Sequence, residues 1–479
     1  MTIPRRRTTR AFWLSATLGV ALAATATLAA RELPRVPVDA RTGIVALQPQ
    51  QLEPAYWIAR QPDPDRSILD RAGIDAQNAR MRASDPAIED IAGLPSPLPA
   101  ALVQERIQAL SSRPTRTLYD ARGAALDAAR IDGFVAGLAL DAIPATRELR
   151  YGLVVKRAAL RTFPTRERVF STPGDTDIDR FQESALFPGD AVAVLHVSRD
   201  GQWLFVASER YSAWIDRTAV AIGDAAQVLG YARRAPYRIV TGATAFTAYT
   251  PERPELSRLQ LDMGVRVPVL ADWPAQRPVN GQHPATSHVI ELPVRNADGS
   301  LALAPALLPR SEDTAADYLP LTPRNLIAQA FKFLGERYGW GHDYGTRDCS
   351  GFVSEIYRSF GVLMPRNTSA QAISPALDRI AFDKRDGPRE RMDAVRRLQV
   401  GDLVYIPGHV MLALGHADGL AYMIHDTAGG GWLGADGRRA SAHLNGVSVT
   451  PLEPMLASDT VTYVDRITNI QRLRAKSPE

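Results

Sequence analysis

Apolar residues change their spacing as the chain proceeds, and each change predicts a different kind of element. After a Pro-rich, extended opening from residue 31, "PAALVQERIQALSS" and "AALDAARIDGFVAGLAL" repeat apolar positions every three or four residues. That is the period of a helix with one buried face. From about residue 147 the period falls to two. "YGLVVKRAALRTFPT", "DAVAVLHVSRDGQWLFVAS" and "RYSAWI" are short β-type runs broken by Pro, Gly and Asp-Gly, and "SRDG" marks a hairpin turn. The runs predict a small β-barrel over 147–217. Residues 218–310 repeat the pattern less regularly, with "DMGVRVPVLADW" and "HVIELPVRNADGSLALAPAL" as strand and hairpin, and predict a second barrel. Pro-rich "LPRSEDTAADYLPLTPR" reads as a linker.

The helical period returns at Thr322, an N-cap followed by Pro323 in the first turn. Leu326, Ile327, Ala330, Phe331 and Leu334 share one face of that helix. A second helix follows Cys349, with Phe352, Val353, Ile356, Tyr357 and Phe360 on one face and Gly361 as its stop. The charged insertion 378–400, "DRIAFDKRDGPRERMDAVRRLQV", reads as a solvated loop and helix. Strands close the chain: "GDLVYIP", "HVMLALGHA", "LAYMIHDTA", "GVSVTPL" and "TVTYVDRIT". The prediction is an α+β multidomain protein: a leader at 1–30, a helical region at 31–146, two barrels, and a helix-plus-sheet domain at 318–470.

The first thirty residues stand apart. "MTIPRRRTTR" is a basic head and "AFWLSATLGVALAATATLAA" an apolar run ending in small residues, the layout of a secretory signal peptide cleaved after Ala26 or Ala29. The run is also long enough for an uncleaved membrane anchor. The formal charge of +4 at pH 7 comes from Arg5, Arg6, Arg7 and Arg10. Without the leader the chain is near neutral, so a nucleic-acid-binding surface is not suggested. Export makes the cysteine count informative. A single cysteine among 479 residues cannot form an intramolecular disulfide, and an unpaired thiol in an oxidising compartment is a liability. Cys349 is therefore either a buried bystander or chemically used.

Asp348 is a suitable N-cap for the helix that carries Cys349. This puts the sulfur in the first turn, where free N–H groups and the helix dipole lower a thiol's pKa. A nucleophilic thiol needs a base oriented by a third group. "HVMLALGHADGLAYMIHDT" reads as a hairpin turning near Ala417-Asp418-Gly419. Alternation sets His409, Met411 and Ala413 on one face and His416 on the other, unless a bulge intervenes. A three-residue turn opposes Met411 to His425 and brings His425 diagonally beside His409. A two-residue turn puts the two histidines on opposite faces. His196, His283, His288 and His443 read as ordinary structural histidines. His342 lies seven residues before Cys349, but one thiolate and no HExxH pattern argue against a zinc site. No GxSxG elbow is present.

The segment 322–470 resembles the NlpC/P60 family of cell-wall cysteine peptidases, through "YGWGHDYGTRDCSGFVSEIYRSFG", "MPRNTSAQ", "VGDLVYIPGHVMLALG" and "YMIHD" in that order. The resemblance implies a papain-like α+β catalytic domain, with helices packed on an antiparallel sheet. It also implies Cys349 as nucleophile, His409 as base and His425 as its orienter, with no cofactor and no metal. The β segments before it are similar to bacterial SH3-type barrels, through "RTFPT" and "GQWLFVASERYSAWI". With the helical region they resemble the multi-domain subgroup that cleaves the γ-D-glutamyl–diamino acid bond of peptidoglycan stem peptides. By motif position, Asp348 and Ser350 would hold the substrate's amino end, Tyr338 and Trp340 would line the pocket, and Glu183 and Tyr211 would contribute from the first barrel. Expected partners are murein stem peptides, without nucleic acid or stable membrane insertion once the leader is removed, in the periplasm or outside the cell. A wall-binding scaffold, and a murein amidase or acyltransferase using the same three residues, are the rival readings.

Overall fold

Helices form at both places that the three-and-four spacing marked, and at a third, Arg71–Ser84, that it did not. In the computed structural model, which describes residues 36–474 except 435, they span Arg71–Ser84, Ala100–Leu110 and Ala128–Gly137. Asp70 and Asp127 cap the first and third by accepting from the N–H of Gly73 and Arg130. The leader at 1–30 lies outside the described residues. Among those described, no helix is long and apolar enough to cross a membrane. The helical region divides its apolar residues between two cores. Leu47, Trp57, Ile74 and Met81 join the core around the Cys349 helix. Val103, Ile107, Leu126 and Leu138 join that of the first β-module.

That module has seven strands: β1 (Arg150–Val154), β2 (Ala158–Arg161), β3 (Gln182–Leu186), β4 (Ala191–Val197), β5 (Trp203–Ala207), β6 (Ser212–Asp216) and β7 (Val220–Gly223). They pair antiparallel in the order β3-β2-β6-β5-β4-β1-β7. Asp200 and Gly201 turn β4 into β5, as "SRDG" requires, with Gly201 at φ 71°. Alternation along β5 sends Phe205 toward the helices and Leu204 and Val206 to a second core. The end strands β3 and β7 do not pair with each other, so the ladder stays open where a closed barrel was expected. The region 218–310 is also not a single closed sheet. Tyr237–Val240 lies between Arg266–Pro268 and Thr314–Ala315, Thr244–Phe246 pairs with Gln260–Asp262, and Ser287–Arg295 forms the expected hairpin with Leu301–Pro309. These pieces share a core of Val240, Leu261, Val267, Ile290 and Leu308. The predicted linker thus supplies a strand at Thr314–Ala315.

In the C-terminal module Thr322 caps the helix Pro323–Phe331 by accepting from the N–H of Asn325. Helix α1 (Cys349–Arg358) follows, and Gly361, at φ 77°, turns the chain after it. The sheet comprises β8 (Asp378–Ala381), β9 (Leu403–Ile406), β10 (His409–Ala417), β11 (Leu420–Thr427), β12 (Gly446–Pro451) and β13 (Asn469–Arg472), in the order β8-β13-β9-β10-β11-β12. Its Leu403, Tyr405, Val410, Leu412 and Ile424 pack with Phe352, Val353 and Ile356 of α1. The insertion 378–400 is not a solvated loop. β8 adds an edge strand against β13, and the helix Pro388–Val395 buries Ala394 and Val395 beneath the sheet's second face. Two of the insertion's charges sit in the new strand itself, where Asp378 pairs with Arg472 and Arg379 donates to Asn469.

Trp57 ties the early segment to this core. It is fully buried, its ring centroid lies 5.1 Å from that of Tyr422 on β11, and its indole N–H donates to the carbonyl of Gln51. Trp57→Ala is expected to cost about 3–5 kcal/mol, measured by denaturant unfolding of the whole chain. A loss below about 1 kcal/mol would show that the segment does not share that core.

Candidate active site

The helix that starts at Cys349 is held by its cap. Asp348 Oδ1 accepts from the N–H of Gly351 at 2.8 Å, from Ser350 Oγ at 3.1 Å and from Arg366 Nη1 at 3.2 Å. Its Oδ2 accepts from the N–H of Gly341 at 3.1 Å and from Arg366 Nη2 at 2.8 Å. Burial alone would raise this carboxyl, but Arg366 and the other donors hold it well below the usual carboxylate range. Gly351 is fixed by close approach, because a Cβ there would lie 2.6 Å from Cε1 of His342. His342 stands at φ 66° and is buried, with Nδ1 facing Arg366 Nη2 at 2.8 Å and Nε2 facing Glu355 at 2.9 Å. Since Arg366 can only donate, Nδ1 accepts and Nε2–H donates. Burial accordingly keeps this imidazole neutral, its pKa far below the ordinary value.

Cys349 is 4% exposed, and its sulfur lies 3.6 Å from Thr368 Oγ1. Burial, with Asp348 beside it, pushes the thiol up to about 12, against the opposing pull of Thr368 and the Val410 N–H. The lowered pKa expected from the helix terminus is therefore reversed. The dipole contributes about 0.3–1 kcal/mol, and one pKa unit alone corresponds to about 1.4 kcal/mol. Val410 follows His409 at the start of β10, so the thiol sits against the strand that bears the histidine.

His409 Nε2 lies 2.7 Å from His425 Nδ1, and His425 Nε2 lies 2.9 Å from Thr450 Oγ1 on β12. If Thr450 accepts from Nε2–H, His425 Nδ1 accepts from His409, and His409 keeps a lone pair on Nδ1. In that direction His409 would have a free lone pair able to accept a proton. Burial lowers His409 to about 4, and burial followed by His409 lowers His425 well below the ordinary imidazole value. At neutral pH the site therefore holds a neutral thiol and neutral imidazoles.

The hairpin reaches the expected register by another route. Ala417 pairs with Leu420, so Asp418 and Gly419 form a two-residue turn, with φ of 51° and 79°. A bulge between Ala413 and Gly415 then shifts the ladder by one residue. Leu412 pairs with Ile424, and Met411 consequently opposes His425. The turn expected to contain three residues contains two, and the bulge makes up the difference. His416 turns to the carbonyl of Val395, 3.1 Å away.

Around this centre Tyr338 is buried beside Cys349, Asp348 and Asp426, and burial with those neighbours raises its phenol far above 10. Ser350 Oγ accepts from Arg366 Nη1 at 2.9 Å. Trp340, 36% exposed, donates its indole N–H to the carbonyl of Gln182 on β3. Glu183 and Tyr211 sit together on the first β-module. The phenol donates to Glu183 Oε2 at 2.6 Å, and Thr162 donates to Oε1. Tyr211 also meets Asn367. The structure thus gathers Asp348, Ser350 and Tyr338 about the thiol. It uses the first two internally, and leaves Glu183 and Tyr211 as a pair on the neighbouring module. Arg366, His342, Glu355, Thr368 and Thr450 were missed. Arg366 and Thr368 lie in "MPRNTSAQ" and His342 and Glu355 in the longer motif around Cys349, but no spacing gave any of them this role, and Thr450 lies in neither motif.

Among the described residues no group of three His, Cys, Asp or Glu side chains is placed to hold a metal ion. A crevice of about 630 Å³ lined by Trp57, Tyr357, Gly401 and His416 lies toward the far end of α1 and includes none of the candidate residues.

Residues 335–434 match the NlpC/P60 family and residues 168–216 match an SH3 domain of the SH3b1 type. The chain carries an NlpC/P60 domain preceded by an SH3b domain. It is 26% identical over 243 residues to a gamma-D-glutamyl-L-lysine dipeptidyl-peptidase of Bacillus cereus, covering 48% of this chain and 61% of that protein. It is 46% identical over 50 residues to a probable endopeptidase p60 of Listeria welshimeri, covering 10% of each. The chain thus spans a tenth of the Listeria protein and under two thirds of the Bacillus one. A solved structure of an NlpC/P60 endopeptidase from Photobacterium damselae subsp. piscicida superposes with a TM-score of 0.69 at 18% identity, covering 92% of this chain and 99% of the other. At that identity the likeness concerns the fold.

A thiol raised by burial is protonated below its pKa. Alkylation of Cys349 by iodoacetamide is expected to be slow at pH 7 and to climb about tenfold per pH unit through pH 9. A rate already at its plateau at pH 7 would contradict the neutral resting thiol.

Proposed function

We propose that this protein is an exported cysteine endopeptidase of peptidoglycan, cutting the γ-D-glutamyl–diamino acid bond of stem peptides through an acyl-enzyme. The observation that supports it most is the hydrogen-bonded line Thr450–His425–His409, ending at the strand against which Cys349 lies. In this reading His409 Nδ1 takes the thiol proton as sulfur attacks the γ-glutamyl carbonyl. It then gives that proton to the leaving amine, and His425 holds the ring. Because thiol and imidazole both start neutral, proton transfer accompanies attack and does not precede substrate. The N–H groups at the start of α1 and the Tyr338 phenol would face the oxyanion. Peptidoglycan as substrate implies a location outside the cytoplasm.

The substrate's amino end needs a carboxylate with acceptor capacity to spare. Asp348, given this role by motif position, already accepts from five donors and has little acceptor capacity left for it. Among the described residues Glu183 accepts from Thr162 and Tyr211 alone and is partly exposed, so it is the better receptor for a free α-ammonium group. An acylated amine would leave that carboxylate unmatched. The enzyme would then act on L-Ala-γ-D-Glu-diamino acid peptides already released from glycan.

Cys349→Ala and His409→Ala are expected to lose at least about a thousandfold in kcat, and His416→Ala to keep most activity. Defined murein peptides with product identification by mass separate endopeptidase from amidase and acyltransferase. Cleavage by Cys349→Ala at the normal rate would end the proposal. As a second prediction, the free tripeptide stem should be preferred over the same stem on muramic acid by about a hundredfold in kcat/KM, with Glu183→Gln removing most of that preference. Equal cleavage of both stems would reject the amine requirement alone. Finally, a base of lowered pKa remains unprotonated until pH nears 4, so the acid limb of kcat/KM should fall below the ordinary imidazole value of about 6.5.

A further inference from the structure

Three consecutive residues after α1 reach three different places. Thr368 meets the sulfur of Cys349, Asn367 meets Tyr211 of the first β-module, and Arg366 enters the buried space between the modules. The guanidinium of Arg366 is 3% exposed, and all five of its N–H groups are engaged. Nε donates to Ser184 Oγ on β3 at 2.7 Å. Nη1 donates to Asp348 Oδ1 and Ser350 Oγ, and Nη2 to Asp348 Oδ2 and His342 Nδ1. One planar group therefore joins the SH3b domain to the cap of the helix that presents the thiol.

The joint continues on both sides. His342 donates to Glu355, and Glu355 accepts from Arg347 Nε at 2.7 Å. Arg347, fully buried, also donates to Asp262 of the middle region and to Glu336. Arg157 of the SH3b side donates to the carbonyls of His342 and Thr346 and to Asp262. Gln182 of β3 donates to the carbonyl of Gly341, where a Cβ would lie 3.0 Å from Gln182 and Glu183. This contact leaves no room for a sliding interface.

The geometry points to Arg366 as a positioning residue for the proposed cysteine chemistry: through Asp348 it sets the start of α1 and neutralises the carboxylate next to the nucleophile. Through Ser184 it makes the SH3b domain a structural part of the active site. Lysine could supply the charge but not the fork, since its ammonium has three donors around one point. Loss of the charge leaves Asp348 ionised, because Gly341, Gly351 and Ser350 still donate to it. The groups then facing the sulfur are Asp348 and Asp426, with Tyr338 alongside, and the guanidinium that offset the Asp348 carboxylate is gone.

The inference rests on Cys349 being the nucleophile. Its main readout, alkylation of the thiol by iodoacetamide at fixed pH in the full chain, does not require any peptide to be cleaved. Arg366→Gln is expected to slow alkylation about tenfold, and to lower kcat on the free tripeptide stem with a smaller change in KM. Arg366→Lys should recover part of the alkylation rate. The double variant Asp348→Asn/Arg366→Gln, which removes both charges, should return it to within about threefold of the wild type. Ser184→Ala, a mild change, should slow alkylation about two- to fivefold at an unchanged unfolding midpoint. This variant keeps the test decisive if Arg366→Gln does not fold. Unchanged alkylation in Ser184→Ala and Arg366→Gln, or a double variant as slow as Arg366→Gln alone, would overturn the inference. Normal alkylation behaviour without peptide cleavage would instead count against the proposed function.

Discussion

A carboxylate taken out of water must be surrounded by donors or lose its charge, and Asp348 is surrounded by five. Two are backbone N–H groups of its own module, one is a hydroxyl, and two belong to a guanidinium that also grips the SH3b domain. The start of α1, the path of the "YGWG" loop and the seating of β3 all follow from satisfying that one group. Buried ion pairs of this kind add little net stability, because desolvation offsets attraction. Breaking one costs about 3–5 kcal/mol, since an uncompensated charge is left behind. The arrangement therefore acts mainly as a specifier of geometry, and it forces three segments distant in sequence into one registration.

The same burial governs the chemistry. A helix N-terminus favours a thiolate, but Cys349 lies under Tyr338 and against β10, where desolvation outweighs the dipole. His409 is shifted the opposite way for the same reason. The two shifts produce one consistent resting state, with a neutral sulfur and a neutral ring. Such a resting state holds no thiolate at neutral pH.

The early segment of the chain shows how local pattern and tertiary role separate. The spacing in "PAALVQERIQALSS" correctly marked a helix. It could not say that Val103 and Ile107 would pack under the first β-module while Trp57 and Met81 packed under the other core. The charged insertion was misread for a related reason. Its arginines and acids mark a solvated face, yet strand pairing is a backbone property and asks little of side chains, so β8 could form at an edge.

Local chemistry was legible wherever neighbours in sequence sufficed. Thr322 and Asp348 as caps, Gly361 as a stop, and the nucleophile candidate on its helix follow from side chains reaching their own backbone. The nearness of His409 and His425 was also legible, because alternation and register are short-range rules. Even there, the turn and the bulge compensated for each other in a way that composition does not encode. Arg366, His342, Glu355 and the sign of the thiol's pKa shift were decided only by the tertiary structure. Each depends on which charges and how much protein surround a buried group, and those neighbours come from residues up to about two hundred positions away in the chain. Spacing along a sequence reports faces and turns. Desolvation and charge pairing belong to the folded interior, and only the assembled modules define it.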